Sequence, residues 1–168
     1  MNAMLKICRS LSELSFGQLM SVYEEGNRLN AVEFYAHMDA NAALLQAEQD
    51  FYAYLDDCFF KTDGAWYAVW EEQGRYVSAL RMEPYEDGLL LEALETIPGM
   101  RRRGFAFLLM RKVLEQVDVN VYSHVQKGNL ASMGLHLRCG FQKISDRCVY
   151  IDGSESDACV TLLKAKGL

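Results

Sequence analysis

The chain predicts a mixed α/β domain: a mostly antiparallel sheet with a parallel strand–helix–strand unit at its centre. Three observations carry this. Residues 65–97 read as a three-strand meander, with turn signals at Gln73-Gly74 and Asp87-Gly88. Residues 89–125 run strand, helix, strand, an order that places the two strands parallel. Ahead of both, two stretches repeat their apolar residues at helical spacing.

The elements follow in order. Leu5 to Arg9 alternates as a first strand. Ser10 and Glu13 form a capping box, and Leu11, Leu14, Leu19, Met20, Val22 and Tyr23 then recur at helical spacing, with Gly26 as the stop. Residues 27–38 carry no deciding period. Asp39 to Phe60 is a second helical stretch, with Leu44, Leu45, Phe51, Tyr52, Leu55 and Phe59 as its apolar stripe. Asp63-Gly64 turns the chain into strands at 65–71, 75–83 and 89–97. Gly104 to Val117 is an amphipathic helix, Val119 to Val125 a β-branched strand, and Asn129 to Cys139 a helix closed by Gly140. Residues 141–144 and 149–151 read as strand, 152–157 as a hairpin loop and Cys159 to Lys164 as the last strand.

A chain of 168 residues suits one domain, 1–168, with one sizeable core. No apolar run approaches the ~20 residues that span a bilayer, and the first residues show no charged leader ahead of an apolar segment. Membrane attachment and secretion are therefore not expected. The five cysteines are odd in number and form no Cys-x-x-Cys pair, so they read as reduced thiols of a cytoplasmic protein. His37, His124 and His136 show no ligand spacing, and no metal is expected. The net charge of −6 disfavours nucleic acid as a partner. It suits a cationic amine, and equally a surface made acidic for solubility.

The loop after the third meander strand carries Arg101, Arg102 and Arg103 and opens through Gly104 into a helix. A helix N-terminus offers unpaired backbone N–H groups and the positive end of its dipole. Glycine admits close approach of an anion, and arginine adds donors. Without an anion, the three arginines would oppose the dipole as a solvated charge run. The loop has neither the Lys-Ser/Thr ending of a nucleotide-hydrolase loop nor the Gly-x-Gly-x-x-Gly of a dinucleotide fold.

The hexapeptide Arg101-Arg102-Arg103-Gly104-Phe105-Ala106 resembles the Arg/Gln-x-x-Gly-x-Gly/Ala signature of the GNAT superfamily of acyl-CoA-dependent N-acyltransferases. Pro98 stands where the family often has proline, and Leu89 to Ile97 where it keeps its fourth strand. Asn129 to Phe141 is similar to the family's Asn-x-x-(Ala/Ser)-x-x-Leu-Tyr-x-x-x-Gly-Phe segment. The likeness covers residues 89–145. The first half of the chain fits only in its order of elements.

The resemblance implies a GNAT-like fold with helices on both faces of the sheet, and acetyl-CoA as co-substrate for acyl transfer to an amine, a small molecule or a peptide. The pyrophosphate of coenzyme A would lie on the backbone from Arg101 to Ala106, with Arg101 at the first motif position, Arg103 just before Gly104, and Met100, Arg102 and Phe105 carried along in the loop. Asn129 would contact the pantetheine arm, as well as serving as an ordinary helix N-cap. Ser132, one turn on, is either a second contact or a small packing residue. The strand edge Leu94, Glu95, Thr96 would pair with the amides of that arm, and the N–H near Leu94 would polarise the thioester carbonyl.

For the base, Glu92 and Glu95 stand on the strand. Glu92, among leucines, would be desolvated toward a useful pKa, or else face solvent or pair with an arginine such as Arg81. His136 occupies the position where many family members have a tyrosine acid. It can donate a proton, or be a helix-face histidine without chemistry. Tyr122 and Tyr150 are the other phenols that can stand in. A nucleophilic Cys139 has no histidine paired with it. The aromatic group Trp66, Tyr67, Trp70 and Tyr76 reads as core, with one ring free to line an acceptor pocket. Two functions stay open: an N-acetyltransferase working by direct amine attack, and a binding module of the same fold that senses acyl-CoA without turnover. Exposed C-terminal strands allow a homodimer.

Overall fold

The computed structural model describes residues 2–167. Met1 and Leu168, the ends of the expected 1–168 unit, lie outside them. A seven-stranded sheet runs in the order β1-β2-β3-β4-β5-β9-β6. Its strands are β1 (Ala3–Cys8), β2 (Trp66–Glu72), β3 (Arg75–Tyr85), β4 (Gly88–Thr96), β5 (Val121–Gln126), β6 (Gln142–Ser145) and β9 (Cys159–Lys164). All neighbours are antiparallel except β4 and β5, the parallel pair that the strand–helix–strand order requires. A separate hairpin pairs β7 (Cys148–Val149) with β8 (Glu155–Ser156), so the expected loop at 152–157 contains a short strand.

The helices are α1 (Phe16–Val22), α2 (Glu24–Phe34), α3 (Ala40–Asp57), α4 (Phe105–Glu115) and α5 (Leu130–Arg138). They cover both faces. On one face, Leu19, Tyr23, Leu55 and Phe59 pack on Tyr67, Val69, Tyr76 and Ala79. On the other, Leu109, Met110 and Val113 of α4 pack on Trp66, Trp70, Leu80, Met82 and Leu91. The four aromatics of the first hairpin are thus divided between two cores.

Three local expectations are corrected. Gly26 does not end a helix: the break falls at Tyr23 (φ −97°, ψ 13°), and α2 runs from Glu24 through Gly26 to Phe34, across the segment without a period. Ser10 precedes only a single 3-10 turn (Leu11–Glu13) and makes no side-chain capping bond, and its partner Glu13 reaches the Arg9 N–H at 2.9 Å. In α3, Asp39 is the N-cap, accepting from the N–H groups of Asn41 and Ala42. The face turned to α2 is made by Ala43 and Ala47 beside Ala31, while Leu45 and Tyr52 stay exposed. Small residues let two helices approach, so they form the packing stripe although they carry little hydrophobic signal.

The start of β4 is set by contact with the chain ahead of β5. Leu89 N–H donates to Asn120 C=O at 3.0 Å, and a Cβ on Gly88 would stand 1.9 Å from the same oxygen. Gly88→Ala should therefore cost about 1–3 kcal/mol in urea unfolding, as overpacking does. Gly99→Ala, where a Cβ meets nothing within 4 Å, is the control that should stay near wild type.

Candidate functional site

The site is built around an irregularity in β4. Ala79 of β3 pairs with Glu95 and Arg81 pairs with Glu92, so Ala93 and Leu94 together oppose Leu80. This is a β-bulge, with Ala93 at φ +55°. A left-handed alanine costs about 1–2 kcal/mol, so its surroundings must hold it. Tyr23 O–H donates to Ala93 C=O at 2.6 Å, and Tyr67 O–H donates to Tyr23 Oη at 2.9 Å. Ser78 O–H donates to Glu95 C=O at 2.8 Å and lies 3.0 Å from Thr96 Oγ1.

Below the bulge, β4 pairs with β5 through Leu89, Leu90 and Leu91. Beyond Leu91 the register ends, and the β5-facing edge of residues 92–96 is unpaired by that strand. Three hollows meet there. A groove of about 630 Å³ runs over Thr96, Arg102, Gly104, Ala106, Asn129 and Arg138. A cleft of about 680 Å³ lies between β4 and β5, with Glu83, Glu92, Ser123, His124, His136 and Tyr150 on its walls. A cavity of about 420 Å³ opens toward α2 and α3, past Tyr23, Asn27, Asp50, Tyr54 and Arg81. Glu95 borders all three.

The groove has the form of an anion cradle. Arg102 (φ +64°) and Gly104 (φ +83°) are both left-handed, a backbone arrangement that turns successive N–H groups to one side. The first intrahelical bond of α4 runs from Leu108 N–H to Gly104 C=O at 2.9 Å, which leaves the N–H groups of Phe105, Ala106 and Phe107 without carbonyl partners. Gly104 is the N-cap and brings no side chain to them, and a Cβ at Gly104 would meet nothing within 4 Å. A phosphate fits this space and would complete those donors.

Leu94, Thr96, Arg101, Arg102, Phe105, Ala106, Asn129 and Ser132 all border the groove, whereas Arg103 lies against Met100 Sδ at 3.5 Å. Arg101 is turned toward α2: its guanidinium donates to Glu25 at 3.0 and 3.3 Å and stands 3.7 Å from Glu95. Asn129 caps α5 by accepting from Ser132 N–H at 3.0 Å. Arg138, with its guanidinium 4.4 Å over the Phe107 ring, borders the groove as a cation that the motifs do not mark.

Glu92 lies on the α3 side of the sheet. Its Oε1 is 3.9 Å from Arg81 Nε, and both atoms are buried without a hydrogen-bond partner. Arg81 is itself held over the rings of Tyr54 and Phe59. Burial raises the Glu92 pKa, and the neighbouring Glu83 carboxyl raises it further, against the pull of Arg81. Burial also raises Glu95, with Arg101 opposing. Glu83, only 7% exposed, is a member of this group that the sequence reading did not single out.

His136 lies on the opposite side, with its ring packed edge-on to Phe141. Nδ1 is 2.7 Å from Ser132 C=O and Nε2 is 2.8 Å from Ser123 Oγ. A carbonyl only accepts, so Nδ1 carries the proton, and in the neutral ring Nε2 accepts from the serine hydroxyl. Burial lowers the pKa of His136, which favours that neutral form. Of the alternative phenols, Tyr150 borders the cleft, while Tyr122 donates to Asp87 at 2.5 Å. The five cysteines are free thiols. Among the described residues no group of three or more side chains suited to a metal is found, and no helix is long and apolar enough to cross a membrane.

The sheet is thus splayed beside a bulged strand, with the open helix start of α4 at the mouth of the splay. The Acetyltransferase (GNAT) family profile matches residues 33–141, and the chain belongs to that family. Its fold is similar to that of PaiA N-acetyltransferase from Thermoplasma acidophilum, solved in complex with coenzyme A (TM-score 0.65, 10% identity, 98% of this chain and 99% of that one). It is also similar to the ribosomal-protein-S18-alanine N-acetyltransferase from Escherichia coli (TM-score 0.62, 13% identity, 98% and 96%). A third similar structure is Escherichia coli ElaA (TM-score 0.60, 15% identity, 97% and 99%). No curated protein sequence matches the chain at a significant level.

Burial lowers the pKa of His124 as well as His136. Both bind fewer protons in the folded chain than in the unfolded one. Their contribution to stability is therefore complete above the unfolded value of about 6.5 and is lost as pH falls from there through the folded values. The raised Glu92 and Glu95 act with the opposite sign over this range, so the histidine is read from a difference: the urea-unfolding stability of wild type minus that of His136→Gln should fall from about pH 7.5 to 5.

Proposed function

We propose that the protein is an N-acetyltransferase that moves the acetyl group of acetyl-CoA to a primary amine by direct attack. The observation that supports this best is the meeting of the three hollows at Glu95, on an edge of β4 that β5 leaves unpaired. Acetyl-CoA supplies the acyl group as a thioester. The backbone from Arg102 to Phe107 holds its pyrophosphate, with Arg102 and Arg138 beside it. Leu94 to Thr96 and Asn129 border the path of the pantetheine arm, and the main-chain N–H near Leu94 polarises the thioester carbonyl.

The amine enters from the α2–α3 side, where Glu92 takes its proton. Nitrogen then bonds to the carbonyl carbon, the carbon–sulfur bond breaks, and the second proton of the nitrogen goes to the departing thiolate. The two substrates are held together by the fold, so much of the gain is in orientation. A proton from His136 would have to pass through Ser123. The thiolate, whose conjugate acid lies near the free-thiol value of about 8.5, departs near neutral pH without strong acid assistance. This reading gives His136 the work of holding Ser123 and α5 against β5. The compartment it suits is the cytoplasm, where acetyl-CoA and reduced thiols coexist.

Two experiments test the reading. Acetyl-CoA at about 100 times its Kd should raise the unfolding temperature by several degrees, ATP should not, and Gly104→Glu should abolish the shift. In a thiol-release assay with n-butylamine, benzylamine and glycinamide, Glu92→Gln should lower kcat by about a hundredfold to ten-thousandfold while leaving the acetyl-CoA shift intact. Acetyl-CoA binding with no amine-dependent thiol release would favour the sensor over the enzyme.

A further inference from the structure

Glu83 and Glu92 come from neighbouring antiparallel strands. Arg81 pairs with Glu92 and Glu83 with Leu90, so the two glutamates are diagonal neighbours on one face of the sheet. That face would be solvated in an open hairpin. Here it lies under Tyr54 and Phe59, and Glu83 is almost fully buried. One cation, Arg81, stands beside the glutamates, 3.9 Å from Glu92. The other titratable groups around the cleft are Tyr54 and Cys58 at the end of α3, Glu95 on β4, His124 from β5, His136 from α5, and Tyr150 and Asp152 at the β7–β8 hairpin. None of them is a second permanent cation. Two ionised carboxylates beside one guanidinium leave a buried negative charge unmatched. One proton held between them restores neutrality, and Glu92 Oε1, buried and without a hydrogen-bond partner on the face that Glu83 shares, is an acceptor left open for it.

We propose that Glu83 and Glu92 act as one unit that holds a single proton between them beside Arg81, with Glu83 as the positioning residue that makes Glu92 a stronger proton acceptor. This rests on the acetyl-transfer reading for its use, not for its existence. An alkylammonium has a pKa of about 10.4 and a lone glutamate about 4.3, so transfer between them is uphill by some six units. A doubly ionised pair binds its next proton far more tightly, and the mismatch shrinks. Once the resting proton has left the pair for solvent, a proton passes from the amine nitrogen to a Glu92 oxygen and is shared with Glu83. The pair goes from two negative charges to one, and with Arg81 the group goes from one negative charge to none.

The test is a carboxyl titration of the protein without ligand, labelled with ¹³C at the glutamate side chains. In the wild type, the Glu92 signal should titrate in two steps. In Glu83→Gln, it should titrate in one step with its midpoint lower by a pH unit or more. A Glu92 midpoint that is the same with and without the Glu83 carboxyl would overturn the pair, and unchanged thermal unfolding would show that the variants are folded. In the same amine assay, the rising limb of kcat/KM against pH should move down by about the same interval in Glu83→Gln, with the KM for acetyl-CoA unchanged. A coupled titration with no thiol release from any amine would leave the pair standing and remove the acetyl-transfer reading.

Discussion

The left-handed turn of Ala93 is the constraint on which the rest of the site depends. A parallel pair buried between helices would ordinarily continue to the ends of its strands. Here the extra residue bends β4 away from β5 after Leu91, and the unpaired edge becomes wall and floor for the hollows around it. The strain is held by one phenol. Tyr23, the residue at which α1 gives way to α2, carries the hydroxyl that binds the Ala93 carbonyl. The helix break and the strand bulge are therefore two ends of one hydrogen bond, closed behind by Tyr67.

The two faces of the sheet keep different chemistry. Arg81, Glu83 and Glu92 stand on the side of α3, where buried charge is arranged around one guanidinium. Ser123 and His136 stand on the side of Phe141, where a neutral imidazole has both nitrogens bonded internally. A bond between β4 and β5 at the level of Glu92 would wall these environments apart. The splay joins them through a cleft without disturbing either core.

The second half of the molecule was largely legible in the chain. The strand–loop–helix signature from Leu89 to Ala106 and the Asn129 segment rest on local chemistry: a glycine start, a short-range cap and periodic leucines. The rest is tertiary. Nothing in Leu-Glu-Ala-Leu announces a bulge, because the left-handed residue is an alanine held by a side chain seventy positions away. Alternation along β3 places Ala79, Arg81 and Glu83 on one face, and by polarity alone that face reads as solvent-facing. Only the descent of α3 onto it, with Tyr54 and Phe59 over Arg81, turns a surface glutamate into a buried one. The α2 segment was missed for a related reason. Its packing face is asparagine and alanine, which carry too little hydrophobic contrast to show a period.

The pairing of Arg101 with two glutamates changes what an approaching anion meets. One of the three charges in the loop is spent on Glu25 and Glu95, while Arg102 and Arg103 form no ion pair among the described residues. The chain as a whole carries a net charge of −6, so the surface outside the loop has an excess of acid. The loop is thus a small positive spot in a repelling field, and over a Debye length of about 8 Å at physiological ionic strength only that spot is felt. Capture of a polyphosphate is then a local event. Added salt slows it by screening two guanidiniums and speeds it by screening the acidic surround, so the ionic-strength dependence of the association rate is shallow.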